Sequence, residues 1–163
     1  MDRRAALALM LATLALPAHA QAASSASTTM AVSIEVVPNC TVAAEPLAFG
    51  AVTADPAPSS ETTAAIDVAC GPGTPFTVAL DDGQNAGGGA RRALDPATGQ
   101  YLGYEIYVDP AHAQRWGGFG ADAVSGETSA SGTTQLTAYG EIAGAGEVAA
   151  GSYSDLVTVS VDF

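Results

Sequence analysis

Apolar and polar side chains alternate along much of this chain, beginning with the run "MAVSIEV". There Met30, Val32, Ile34 and Val36 share one face, with Ser33 and Glu35 opposite. "AIDVAC" repeats the pattern with Ile66, Val68 and Cys70, "FTVAL" with Phe76, Val78 and Leu80, and "YLGYEIYV" with Leu102, Tyr104, Ile106 and Val108. "TQLTAYGEI" adds Leu136, Ala138 and Ile142, and the last run, "GSYSDLVTVSVDF", places Val157, Val159, Val161 and Phe163 at every second position. A period of two is the mark of a half-buried β-strand, because successive side chains leave opposite faces of the pleat.

Turn signals separate these runs. Asp81 to Gly83 closes one and Asp109-Pro110 another, while Gln84–Arg92 and Gly117–Gly132 are glycine-rich and read as surface loops. No helical period appears beyond the first twenty residues. Short strands at turn-punctuated intervals predict an all-β, antiparallel sandwich. Residues 23–29 are small and polar, a segment expected to stay flexible until something orders it.

The start of the chain reads differently. Asp2-Arg3-Arg4 precedes an apolar run from Ala5 to Leu16, and Ala18-His19-Ala20 is an A-x-A cleavage site. This is a secretory signal peptide over residues 1–20, too short in its apolar part for durable membrane insertion; a cut after Ala22 is the alternative. Of the 17 acidic and 5 basic residues, the leader takes Asp2, Arg3 and Arg4, leaving 16 acids against Arg91, Arg92 and Arg115, a net charge of −13 with no lysine. Such a balance excludes a nucleic-acid or anionic-membrane partner, both of which need a basic face. The plain reading of the acidity is solubility outside the cell. Cys40 and Cys70 form an even pair in an exported chain, which predicts a disulfide rather than a metal site, since no histidines stand nearby.

Candidate chemistry is sparse. His112, the one histidine beyond the leader, sits in a loop after a proline and is expected to be solvated rather than catalytic. No G-x-S-x-G elbow is present. "DDGQN" lacks the spacing and distal glutamate of a calcium loop and reads as an acidic turn, and "GGGARR" lacks the lysine of a phosphate loop. Arg91 and Arg92 are expected to pair with the surplus carboxylates. Trp116, in "RWGGFG", is expected to pack at the edge of the core; the alternative is a surface-binding loop presenting Trp116 and Phe119. No catalytic residue, metal site or cofactor is assigned.

Several motifs then fall in order: "CTVAAEPLAFG", "IDVACGPGTPFTVALDDGQN", "RRAL", "LGYEIYVD", "RWG", "AYGEI" and "AGSYSDLVTVSVDF". Together they resemble the spore coat protein U (SCPU) domain, the pilin domain of archaic chaperone–usher pili. The resemblance implies an incomplete immunoglobulin-like β-sandwich lacking its seventh strand, completed by donor-strand exchange. It implies a flexible donor segment over residues 21–37 and a domain over residues 38–163. Met30, Val32, Ile34 and Val36 would be the donor-strand plugs, Val157, Val159, Val161 and Phe163 would contribute to the acceptor groove and chaperone contact, and Cys40 and Cys70 match the family's disulfide. The implied partners are a periplasmic chaperone, an outer-membrane usher and neighbouring pilus subunits. The chain would pass through the periplasm to an extracellular pilus or the cell surface, supporting adhesion and biofilm formation. Three readings stand beside this one: a spore coat structural protein, a single-domain surface- or glycan-binding adhesin, and a fold in which the two terminal strands simply pair with each other.

Overall fold

The computed structural model describes residues 24–53, 60–142 and 148–163. The expected leader, residues 1–20, lies outside the described residues. The chain divides into two units, Met1–Glu35 and Val36–Phe163. In the first, Ser24–Glu35 forms no strand or helix and is exposed throughout. The alternation at Met30–Val36 therefore does not itself make a strand, because an extended run becomes one only when a neighbour takes its backbone bonds.

The second unit is all-β. Its strands are β1 (Thr41–Ala44), β2 (Ser60–Ala69), β3 (Pro75–Leu80), β4 (Arg91–Leu94), β5 (Tyr101–Tyr107), β6 (Val124–Glu127), β7 (Thr133–Ile142) and β8 (Val159–Asp162). One sheet runs β1-β2-β7-β5-β4 and the other β6-β3-β8, and every pair is antiparallel. No helix is found among the described residues, and hence none long and apolar enough to cross a membrane.

Alternation puts the core where it was expected. Ile66 and Val68 of β2, Ile106 of β5 and Ala138 of β7 meet Phe76, Val78 and Leu80 of β3 between the sheets. The Ile66↔Leu136 and Ala64↔Ala138 register keeps the inward sets of β2 and β7 level, and one slipped residue would turn both outward. Cys40 and Cys70 flank the Thr41↔Ala69 pair and are joined as a disulfide with their Cα atoms 4.3 Å apart.

Two strands, β4 and β6, arise from stretches read as loops. β1 and β6 are four residues long, and β4 begins at Arg91, inside the stretch read as a loop. Arg91 points inward and is fully enclosed. Trp116 packs in the core, and the alternative of a surface platform does not hold for it. It is 1% exposed, because its ring fills the core between the sheets and its indole Nε1–H donates to Val78 O at 3.0 Å.

The strand order is that of an immunoglobulin-like sandwich. β1, β2, β7 and β5 occupy the places of strands A, B, E and D, and β3 and β8 those of C and F, with β4 and β6 as short additions at the edges. A second mark agrees: the Tyr153 hydroxyl, just before β8, donates back to Ala149 O at 2.8 Å, as in the tyrosine corner that precedes strand F. In the sheet of C and F, β8 pairs with β3 on one side, and among the described residues no strand pairs with its other side.

Candidate functional site

Beside β8 the two sheets part, and a cleft of about 960 Å³ opens into the core. Its floor is built from inward-facing residues of the five-stranded sheet, chiefly Ala64, Ile66, Ile106, Ala138 and Ile142. The side chains there are small or apolar, so the base of the cleft is apolar. The floor exists because β2 and β7 carry alanines where a sandwich core would otherwise be filled.

Two irregular segments form the walls. The first, Ala44–Thr53, leaves β1 with Glu45 N–H still bonded to Ala65 O at 2.9 Å. Leu47 and Phe49 of this wall turn down onto Gly140 of β7, where an added Cβ would stand 2.7 Å from Leu47 Cδ2 and 2.9 Å from Phe49 Cζ. Only a glycine lets the wall lie that close.

The second wall is Val148–Val157, continuing into Val159 of β8. It is tied down at intervals: Ala149 N–H to Gln100 Oε1 at 2.9 Å, and Asp155 to Asn85 and Tyr104. Tyr104 reaches the cleft from β5 and donates its hydroxyl to Asp155 Oδ2 at 2.8 Å. Burial first, and then that carboxylate, push the Tyr104 hydroxyl far above the ordinary phenol value, so it remains a protonated donor.

The candidate residues are placed unevenly. Val157 and Val159 line the cleft, whereas Val161 packs on the core opposite Val78 and Phe163 stands exposed beyond β8. Leu156, not singled out in the sequence, is an exposed apolar residue on the cleft wall. Met30, Val32, Ile34 and Val36 are 86, 77, 83 and 89% exposed, so none of the four is covered. Phe119 is exposed while its neighbour Trp116 is not.

The polar candidates serve structure. Arg91 donates to Glu105 and to the carbonyls of Leu80, Asp81 and Trp116. Arg115 bridges Glu105 and Asp82. Arg92 departs from the expected carboxylate pairing: it donates to the carbonyls of Asn85 and Ala86 and lies 4.2 Å over the Tyr101 ring. His112 stacks on Tyr107 at 4.9 Å, with Nδ1 3.5 Å from Glu141, and is not among the cleft residues. Among the described residues no group of histidine, cysteine or acidic side chains is arranged to hold a metal ion.

The family model of the Spore Coat Protein U domain matches residues 26–160. No curated protein matches the chain. Among solved structures, the chain is similar to one in the crystal structure of a chaperone–tip adhesion subunit pre-assembly complex from the archaic chaperone–usher Csu pili of Acinetobacter baumannii. The TM-score is 0.62 at 23% identity, over 78% of this chain and 40% of that one. This chain thus spans well under half the length of that relative, and the likeness is one of fold.

Proposed function

Since the chain belongs to the Spore Coat Protein U domain family, we propose that it is a structural subunit of a chaperone–usher pilus, assembled by donor-strand complementation. One observation carries the reading: an apolar cleft lies beside β8, whose outer edge has no partner among the described residues. In an immunoglobulin-like sandwich that is the place of strand G, next to F. A strand laid there would bond the edge through its backbone and send alternate side chains to the floor, which is β-augmentation.

The Thr28–Val36 run has the form of such an occupant. Four apolar residues two apart would bury roughly 1.5–3 kcal/mol each, about 6–12 kcal/mol before ordering costs. Met30, Val32, Ile34 and Val36 are the plugs supplied to a neighbouring subunit. Val157 and Val159, with Leu156, receive a neighbour's plugs. A periplasmic chaperone fills the cleft before assembly and an outer-membrane usher exchanges it for the next subunit. The chain is exported to the periplasm and ends in an extracellular fibre supporting adhesion and biofilm formation.

Deleting Thr28–Val36 tests this. The shortened protein should still bind a strand-donating chaperone but no longer polymerise, as read by electron microscopy and sedimentation. Fibres formed by the deletion variant would overturn the donor assignment. A second reading, a surface-binding adhesin, is favoured by the exposed Phe119 in its glycine-rich loop; loss of attachment by Phe119→Ala with assembly intact would select it.

A further inference from the structure

The second wall of the cleft changes sheets along its length. Ser154 pairs with Leu94 of β4, in the five-stranded sheet, through bonds of 2.9 and 3.0 Å. Thr158 O instead accepts from Asp81 N–H at 3.1 Å, and Val159 pairs with Leu80 of β3 in the other sheet. Asp155 stands between these two pairings. Its Oδ1 accepts from the Asn85 backbone N–H at 3.0 Å and from Asn85 Nδ2 at 2.9 Å, while Oδ2 accepts from the Tyr104 hydroxyl. Asn85 follows β3 and Tyr104 belongs to β5, so one carboxylate ties both sheets together at the crossing.

The fit around that carboxylate is close. Gly83 has φ +84°, and a Cβ built on it would lie 2.0 Å from Asp155 Oδ2. The Tyr104 ring in turn meets Phe49 edge-on, centroids 6.2 Å apart. Asp155, Tyr104 and Phe49 therefore form a continuous series from one wall of the cleft to the other, and all three line it.

We infer that Asp155 is the positioning residue of the cleft: by fixing Tyr104 and Asn85 it sets the separation of the two walls and so the fit of an incoming strand. This rests on the strand-accepting reading above. Hydrogen bonds to an ionised acceptor are the stronger kind, and one carboxylate with three donors replaces ladder bonds that the wall gives up as it crosses.

The test uses the full chain and a labelled synthetic peptide of residues Thr28–Val36, with binding read by fluorescence anisotropy. Asp155→Ala should weaken the peptide by about ten-fold or more. Asp155→Asn, which still accepts from Asn85 and can donate to the Tyr104 oxygen, should stay within about three-fold of the unaltered chain. Val68→Ala, a core change away from the cleft lining, should lower the thermal midpoint without altering peptide affinity. Should Asp155→Ala not fold, Tyr104→Phe removes only the hydroxyl and should bind about three-fold more weakly, with faster amide exchange over Ser154–Thr158. Unchanged affinity in Asp155→Ala or in Tyr104→Phe, or a loss matched by Val68→Ala, would overturn the inference. An unaltered chain that ignores the peptide would instead sink the strand-accepting reading, and this inference with it.

Discussion

Arg91 donates to the Glu105 carboxylate from a position with no solvent exposure, and the same guanidinium caps the carbonyls of Leu80, Asp81 and Trp116. The pair closes the core at the edge where β4 joins β5. Arg91→Met removes one of the two arginines on Glu105 and leaves the carbonyls of Leu80, Asp81 and Trp116 without this donor, so it should lower the unfolding free energy by about 3 kcal/mol or more. The check is a urea midpoint that falls at unchanged slope. Combined with Glu105→Gln, the loss should be smaller than the sum of the two single changes, and a purely additive result would show that the two side chains are not coupled.

The Cys40–Cys70 bridge has a sequence separation of 30. Reduction should remove about 3–4 kcal/mol by the chain-entropy estimate. Denaturation with and without reductant measures this, and a midpoint insensitive to reductant would contradict it.

Gly140 lies under the first cleft wall with no room for a methyl group. Gly140→Ala should destabilise the body by about 1–3 kcal/mol, the range for overpacking. Because Leu47 and Phe49 are the side chains displaced, the same variant should lower the protection of backbone amides near them, which hydrogen exchange reads directly.

Acid should weaken the fold through Asp81. Burial pushes its carboxyl up, yet hydrogen bonds from Thr158 and Gly83, with Arg91 nearby, outweigh that and hold it below the ordinary 3.8. The folded value is thus lower than the unfolded one. Its stabilisation is complete above the unfolded value and is lost as pH falls from there through the folded value. Urea midpoints measured downward from about pH 5 should show the decline, and Asp81→Asn should flatten it.

The legible parts of this protein were those with room for a pattern. β2, β3, β5 and β7 alternate over enough residues for the period to stand out, and β8, four residues long, is marked by an alternation that runs from Val157 to Phe163. β1, β4 and β6 have four residues each, and β4 conceals its nature further by turning an arginine inward. Trp116 looks like a loop residue because glycines follow it, yet its ring is drawn into the core by apolar burial and a bond to Val78. Half of the cleft could be anticipated from the alternating valines near Phe163. Of its floor, Ile66, Ile106, Ala138 and Ile142 belong to alternating runs, but the opening above them was not legible, since Ala64 and Ala138 matter through what they leave empty. The Asp155 contacts were equally hidden, for they join residues 70 and 51 positions apart.

The inward or pinned arginines have a colloidal consequence. Each of Arg91, Arg92 and Arg115 is engaged by its own body, and the chain carries a formal net charge of −12 without a lysine. Copies meeting in water therefore repel, and they do so over the screening length, about 10 Å at 0.1 M ionic strength and about 3 Å at 1 M. Raised salt should draw them together, opposite to what a contact between unlike charges would do.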